Sequence, residues 1–209
     1  MARMTADVIV DEHLTDLDGL RRAELVGCTI EGVTGEGLSL DGARLESCRF
    51  VDCHLRRASM VGTRIDDTTF LRTNLSGVDW TTLAWSSFRI GPGLRFADCT
   101  LDYSTFHGVT LTDVVIHACR AREVDFGSCD MTGADLRFTD LTDARFDGST
   151  LVDADLTGAS GYAFDLNDLR YRGCKVSLPE AGALLQRLGL EVLPVPMPDP
   201  LEDVLRATS

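Results

Sequence analysis

The residues of this chain that could do chemistry are its seven cysteines, its four histidines and a dense set of aspartates. A thiol beside a base makes a nucleophile, thiols and imidazoles in clusters hold metals, and paired carboxylates move protons. The spacing here suits none of these. Cys28, Cys48, Cys53, Cys99, Cys119, Cys129 and Cys174 lack the CxxC or Cys/His spacing of a metal site. His13, His54, His107 and His117 have no thiol or hydroxyl beside them placed to act as a nucleophile. Aspartates recur so often that pairs of them are unavoidable and carry no acid–base signal. The stretches GVTGEG and GPGLRF are not followed by GK[ST] and have no βαβ setting. An enzyme is therefore not expected: no catalytic residue, no cofactor and no metal.

The element that positions all of these residues is a repeat of five. From Cys129 to Ser160 a large apolar residue stands at every third place: Met131, Leu136, Leu141, Phe146, Leu151 and Leu156. Two residues before each stands a small one, with a polar residue, usually Asp, between. The same frame runs from Leu25 and Ile30 through Leu40, Leu45, Phe50, Leu55, Met60, Ile65, Phe70, Leu75 and Trp80 to Trp85 and Ile90, with Gly35 the exception. A period of five fits neither a helix nor an ordinary strand, and is read as an internal repeat. Four sides of five residues close one coil, with the third place pointing into the axis and the first fitting beside it. Coils stack about 4.8 Å apart, so about seven of them give a rod roughly 30–35 Å long. All seven cysteines fall at the small first place, where a thiol packs as a small apolar group. Disulfides are not expected from an odd count in a reducing compartment.

Two irregularities interrupt the frame. Gly32, Gly35 and Gly37 suggest a loosened early turn. At Gly91-Pro92-Gly93 the next inward residue is Phe96 where the frame needs one at 95, so one inserted residue is expected, with a kink over 91–95. A kink joining two halves of one rod is the reading this supports, and a hinge or binding loop is the alternative.

The organisation that follows has a cap at 1–22, the repeat rod at 23–176, a helix and apolar segment at 177–193, and a proline-rich tail at 194–209. Ser177-Leu178-Pro179-Glu180 reads as a capping box opening a helix that stops at Gly189. Leu178, Leu184, Leu185, Leu188 and Leu190 are the candidate interface for a second copy, since a helix this apolar at the end of a rod either seals it or pairs. The formal net charge is −13, which repels nucleic acid and anionic membrane. No apolar run approaches the ~18 residues of a membrane span, and Met1 is not followed by a signal-peptide layout. A cytoplasmic protein is expected, with no direct nucleic-acid or membrane contact.

The copies ADLRF, ADLTG and TDLTD resemble the pentapeptide-repeat family. That resemblance implies an all-β solenoid, a right-handed quadrilateral β-helix, here with a C-terminal capping and dimerisation helix. Asp165, Asn167, Arg170, the segment Arg172-Gly173-Cys174-Lys175-Val176 and Ser177-Leu178-Pro179-Glu180 before Leu184-Leu185 resemble the tail of its quinolone-resistance group (Qnr, MfpA, AlbG). The group implies a homodimer that mimics duplex DNA, engages DNA gyrase and topoisomerase IV, and confers antibiotic resistance by shielding them from poisons. Qnr proteins carry projecting loops, which the single-residue break does not provide, so the loop-free MfpA type is the nearer expectation. Counting by sides of the coil, Asp79, Asp102, Glu123, Asp140 and Asp143 are expected on one acidic, partner-binding face. The alternative to topoisomerase binding is a structural or adaptor β-helix for an unrelated protein.

Overall fold

The computed structural model describes residues 8–10, 12–15, 20–84, 93–178 and 180–193. The chain winds as a parallel β-solenoid. Strands β1 (Val8–Val10), β3 (Glu24–Val26), β5 (Arg44–Glu46) and β7 (Arg64–Asp66) form one parallel ladder. A second joins β2 (His13–Leu14), β4 (Thr29–Glu31), β6 (Arg49–Val51), β8 (Thr68–Leu71), β9 (Leu94–Ala97) and β10 (Val115–His117). Single bridges carry the stack up to Lys175 over Asp155.

Four faces result. Face A carries Leu25, Leu45, Ile65, Leu111, Met131 and Leu151 inward, and face B carries Ile30, Phe50, Phe70, Phe96, Ile116, Leu136 and Leu156. Face C carries Leu55, Leu75, Leu101, Ala121 and Leu141. Face D carries Leu40, Met60, Trp80, Phe106, Phe126 and Phe146. Nearly all of these side chains are withdrawn from solvent, as the five-residue period requires. On face D the rings of Trp80, Phe106, Phe126 and Phe146 stack at 5.2–5.3 Å. Phe50, Phe70 and Phe96 stack on face B, and Trp80 meets Phe70 and Phe96 edge-on across the axis.

Three expectations change. Phe96 stands over Phe70, 26 residues on, where Phe70 stands over Phe50, 20 residues on. The break therefore adds six residues to one coil and not one. Gly91 and Pro92 lie outside the described residues, but the ladder continues through this level, with β9 paired to β8 below and β10 above. Gly93 is needed for the close return of the chain, because a Cβ there would come within 2.6 Å of the Asp67 backbone nitrogen.

The early glycines do not loosen a turn. Gly32 and Gly37 occupy the fifth place, where the backbone is left-handed at nearly every corner of the rod. Gly35 sits at an inward place that Leu38 fills, since a Cβ on Gly35 would lie 3.0 Å from Leu38 Cδ1.

Ser177 also departs from the capping box. Its carbonyl accepts the first helical bond, from Ala181 N (3.2 Å), but its hydroxyl oxygen accepts from Gly158 N (2.9 Å) in the coil below. Helix α1 runs Glu180–Arg187 and ends at Gly189, whose φ is +83°, a glycine C-cap.

The six cysteines from Cys28 to Cys129 are buried and Cys174 is half-buried. Burial pushes the Cys48 thiol up to about 11 and the Cys129 thiol up to about 12. First-place hydroxyls donate to an inward residue's carbonyl one coil below, as Thr63 to Leu40 (2.7 Å) and Ser149 to Phe126 (2.6 Å), or to the carbonyl two residues before, as Thr68 to Asp66 (3.2 Å). The small-residue column is thus satisfied without water.

Candidate functional site

The aspartate that recurs at the second place has a structural duty. Its Oδ1 accepts from the backbone N–H two residues on: Asp125 from Gly127 (2.8 Å), Asp130 from Thr132 (3.1 Å), Asp135 from Arg137 (3.1 Å), Asp140 from Thr142 (3.1 Å) and Asp155 from Thr157 (2.9 Å). These are Asx turns, which bend the chain at each corner and satisfy an N–H that the ladder leaves open. One oxygen is committed to the corner, and the other accepts from Arg137 in Asp135, from Arg122 in Asp140 and from Lys175 in Asp155. Sequence reading had weighed these residues only as charge. Their spacing of two before the corner was the available signal.

Added to the turn bonds are ion pairs. The Arg137 guanidinium on Asp135 holds that carboxyl below the usual range, and the Thr157 hydrogen bond does the same for Asp155, helped by Lys175. For Asp140 burial works the other way, but bonds from Thr142 and Arg122 outweigh it, and its pKa is lowered.

The six-residue surplus moves the faces. Asp79 lies on face D, where it caps the 3₁₀ turn Trp80–Thr82 and stands under Thr105 and Asp125. Asp102, Glu123, Asp140 and Asp143 lie together on face C. The expected single stripe of five is therefore split. It is also partly neutralised: Asp102 is only 5% exposed, 2.6 Å from Arg120 and bonded to Arg122 N (3.1 Å), and Arg122 reaches Asp140 at 2.6 Å. Glu123 and Asp143 remain exposed.

A second acidic surface is formed by the adjoining faces D and A in the C-terminal half. Above the long coil they carry Asp113, Asp125, Asp130, Asp147 and Asp153 against Arg145, and the next coil adds Asp165 and Asp168 together with Arg170 and Arg172. Arg145 is paired with Asp147 (3.2 Å), and His107 Nδ1 lies 3.4 Å from Asp125. The charge is unevenly divided along the axis. Residues 93–168 hold fourteen acids and five bases, whereas residues 20–84 hold nine and eight. Among the described residues, no three His, Cys, Asp or Glu side chains are grouped to hold a metal, and no helix is long and apolar enough to cross a membrane.

The C-terminal leucines also divide. Leu184 is buried (7%) and closes the last coil, whereas Leu178, Leu185, Leu188 and Leu190 are 80%, 42%, 47% and 54% exposed. Beside them Phe164, Asp165, Leu166, Asn167, Leu184, Arg187 and Leu188 line a cleft of about 300 Å³.

The sequence profile described as pentapeptide repeats matches residues 39–79 and 119–158, in eight copies. No curated protein matches the chain. Among solved structures, trypsin-treated QnrB1, a plasmid-mediated fluoroquinolone resistance protein, is similar at 17% identity over 91% of this chain and all of that one, with a TM-score of 0.55. Full-length QnrB1 is similar at 16% identity over 88% of this chain and 98% of the other, with a TM-score of 0.53. At such identities the likeness is one of fold.

Proposed function

The chain belongs to the pentapeptide-repeat family, and on that premise we propose that it is a DNA-mimicking rod that binds a bacterial type II topoisomerase, DNA gyrase or topoisomerase IV, and relieves it of an antibiotic or toxin. The observation that carries this reading is the gathering of carboxylates on faces D and A of one half of a rigid rod. Coils about 4.8 Å apart set those carboxylates at fixed heights. A cleft that neutralises the phosphates of duplex DNA is basic, and it attracts any rigid body presenting ordered negative charge. The fold likeness to QnrB1 agrees with this role. Such a partner places the protein in the cytoplasm.

The protein acts as a homodimer in this reading, joined through Leu178, Leu185, Leu188 and Leu190. Four leucines left exposed on and beside one short helix favour a covering surface. Leu184 is reassigned from that interface to the seal.

The test is supercoiling by purified gyrase and decatenation by topoisomerase IV, titrated with the protein with and without a fluoroquinolone. Inhibition, or rescue from the drug, that weakens as salt rises is the expected result. No effect on either enzyme, with or without a poison, refutes the proposal.

A further inference from the structure

Two exposed rings stand where the backbone favours glycine. Tyr103 (φ 60°) and Phe138 (φ 59°) occupy fifth-place corners, yet they are 65% and 59% exposed. A bulky side chain in left-handed backbone is a conformational outlier, and the other non-glycine corners carry mostly Asp, Arg or Ser.

The Phe138 ring is held from both sides. His117, one coil below, meets it edge-on at 5.5 Å and 80°. Gly158, one coil above, leaves the space it lies in, since a Cβ there would come within 2.5 Å of Phe138 Cδ1.

Both rings border face C, Tyr103 on the edge shared with face D and Phe138 on the edge shared with face B. They are offset by two coils, about 10 Å along the axis. Between them Arg120 and Arg122 are fixed by Asp102 and Asp140, while Glu123 and Asp143 face solvent. Exposed, preorganised aromatic and arginine side chains are the types that dominate binding energy at protein interfaces.

We propose that face C between Tyr103 and Phe138 is an anchoring surface for a protein partner, with the Phe138 ring entering an apolar pocket on a basic surface. The sign of the partner's surface follows from the surplus of acids around the rings. The inference rests on the reading that this partner is a type II topoisomerase. Faces D and A then steer the encounter through long-range charge, and the rings lock it through contact. A pure charge mimic would need no ring at these corners.

The test compares the wild-type protein with Phe138→Gly, Phe138→Asn and Tyr103→Gly in gyrase supercoiling, alongside thermal melts. Glycine and asparagine accept the left-handed backbone, so melting temperatures should hold or rise. Potency should fall at least tenfold for both Phe138 variants and less for Tyr103→Gly. The loss should persist at high salt, where that from Asp147→Asn fades. Equal potency of Phe138→Gly and wild type overturns the anchoring surface and leaves the topoisomerase reading standing. A wild-type protein without effect on gyrase overturns that reading, and the anchoring surface with it.

Discussion

Phe106 lies at the junction of the two ring stacks, and Phe106→Ala should be among the most damaging single substitutions in the rod. Its side chain is fully buried. It stacks on Trp80 below (5.3 Å, 3°) and on Phe126 above (5.3 Å, 16°), and it meets Phe96 edge-on at 6.2 Å. Truncating a buried Phe costs about 3–5 kcal/mol, and each ring pair lost contributes roughly 0.5–1.5 kcal/mol beyond its area. The coil has little means of closing the void, because its backbone is fixed by ladder bonds to the coils on both sides. About 4–5 kcal/mol is therefore expected, at the upper end of that range. Damage in a stack of nearest-neighbour contacts is local. Urea denaturation followed by far-ultraviolet circular dichroism should show a lower midpoint and a broader transition. Hydrogen exchange should rise first near 94–116, while amides around 131–156 keep more of their protection. A loss below about 1.5 kcal/mol, or one spread evenly along the rod, would refute the reasoning.

Three further outcomes are expected. A thiol reagent at pH 8 should modify at most one cysteine of the native protein, Cys174, and all seven after denaturation, because burial raises the Cys48 thiol to about 11 and the Cys129 thiol to about 12; two or more fast thiols in the native state would contradict the packing. Asp41, Asp135 and Asp155 have folded-state pKa values below their ordinary one, through bonds from Ser59, Arg137 and Thr157 respectively. Their stabilisation is present above the unfolded value of about 4 and is lost as pH falls through the folded values, so melting temperature should drop below about pH 4; a protein as stable at pH 2 as at pH 7 would rule this out. Leu185→Asp should give monomers by light scattering with the melt little changed, whereas Leu184→Asp should lower the melt because it places a charge in the seal; an unchanged dimer in Leu185→Asp moves the interface elsewhere.

The inward side of the rod was legible in the sequence because one residue in five must be large and apolar to fill the axis, and the cysteines had to be small to sit beside it. The helix end was legible for a similarly local reason, since Gly189 supplies the left-handed residue a helix terminus favours. The long coil was hidden. Trp85 and Ile90 keep the five-residue rhythm, so a surplus pentapeptide with one further residue reads as a normal side plus a single insertion. Only the pairing of Phe70 with Phe96 and Asp79 with Thr105 exposes the count. That miscount rotates everything beyond it by one face, and it is why Asp79 was grouped with acids that lie around the corner. The second-place aspartates were misread for another reason. Charge is visible in a sequence, whereas the N–H that a turn leaves open is visible only once the corner is built.

The corner bonds bear on how such a rod acquires a charged surface. An aspartate at the second place is favoured by folding itself, through its bond to the N–H at the fourth place. The rod therefore becomes acidic as it becomes regular, before any partner acts on it. Asp125, Asp130, Asp135, Asp140 and Asp155 all make this bond. Part of the net −13 thus follows from architecture and says little about binding. The acids that folding does not explain are better guides. Asp113, Asp143 and Asp153 sit at left-handed corners with φ of 55–59°, where glycine serves the backbone at least as well. Glu123 shares that geometry at φ 54° without the local bonding that lets Asp tolerate it. These four lie in the C-terminal half, the end that carries Leu185 and Leu188, while Asp52 and Asp67 hold the same geometry in the other half at φ 53° and 42°. Two copies joined through those leucines would bring the acidic halves together at the centre of a longer rod and leave the balanced halves at its tips. In the proposed dimer that placement would gather negative charge where a basic surface meets the rod.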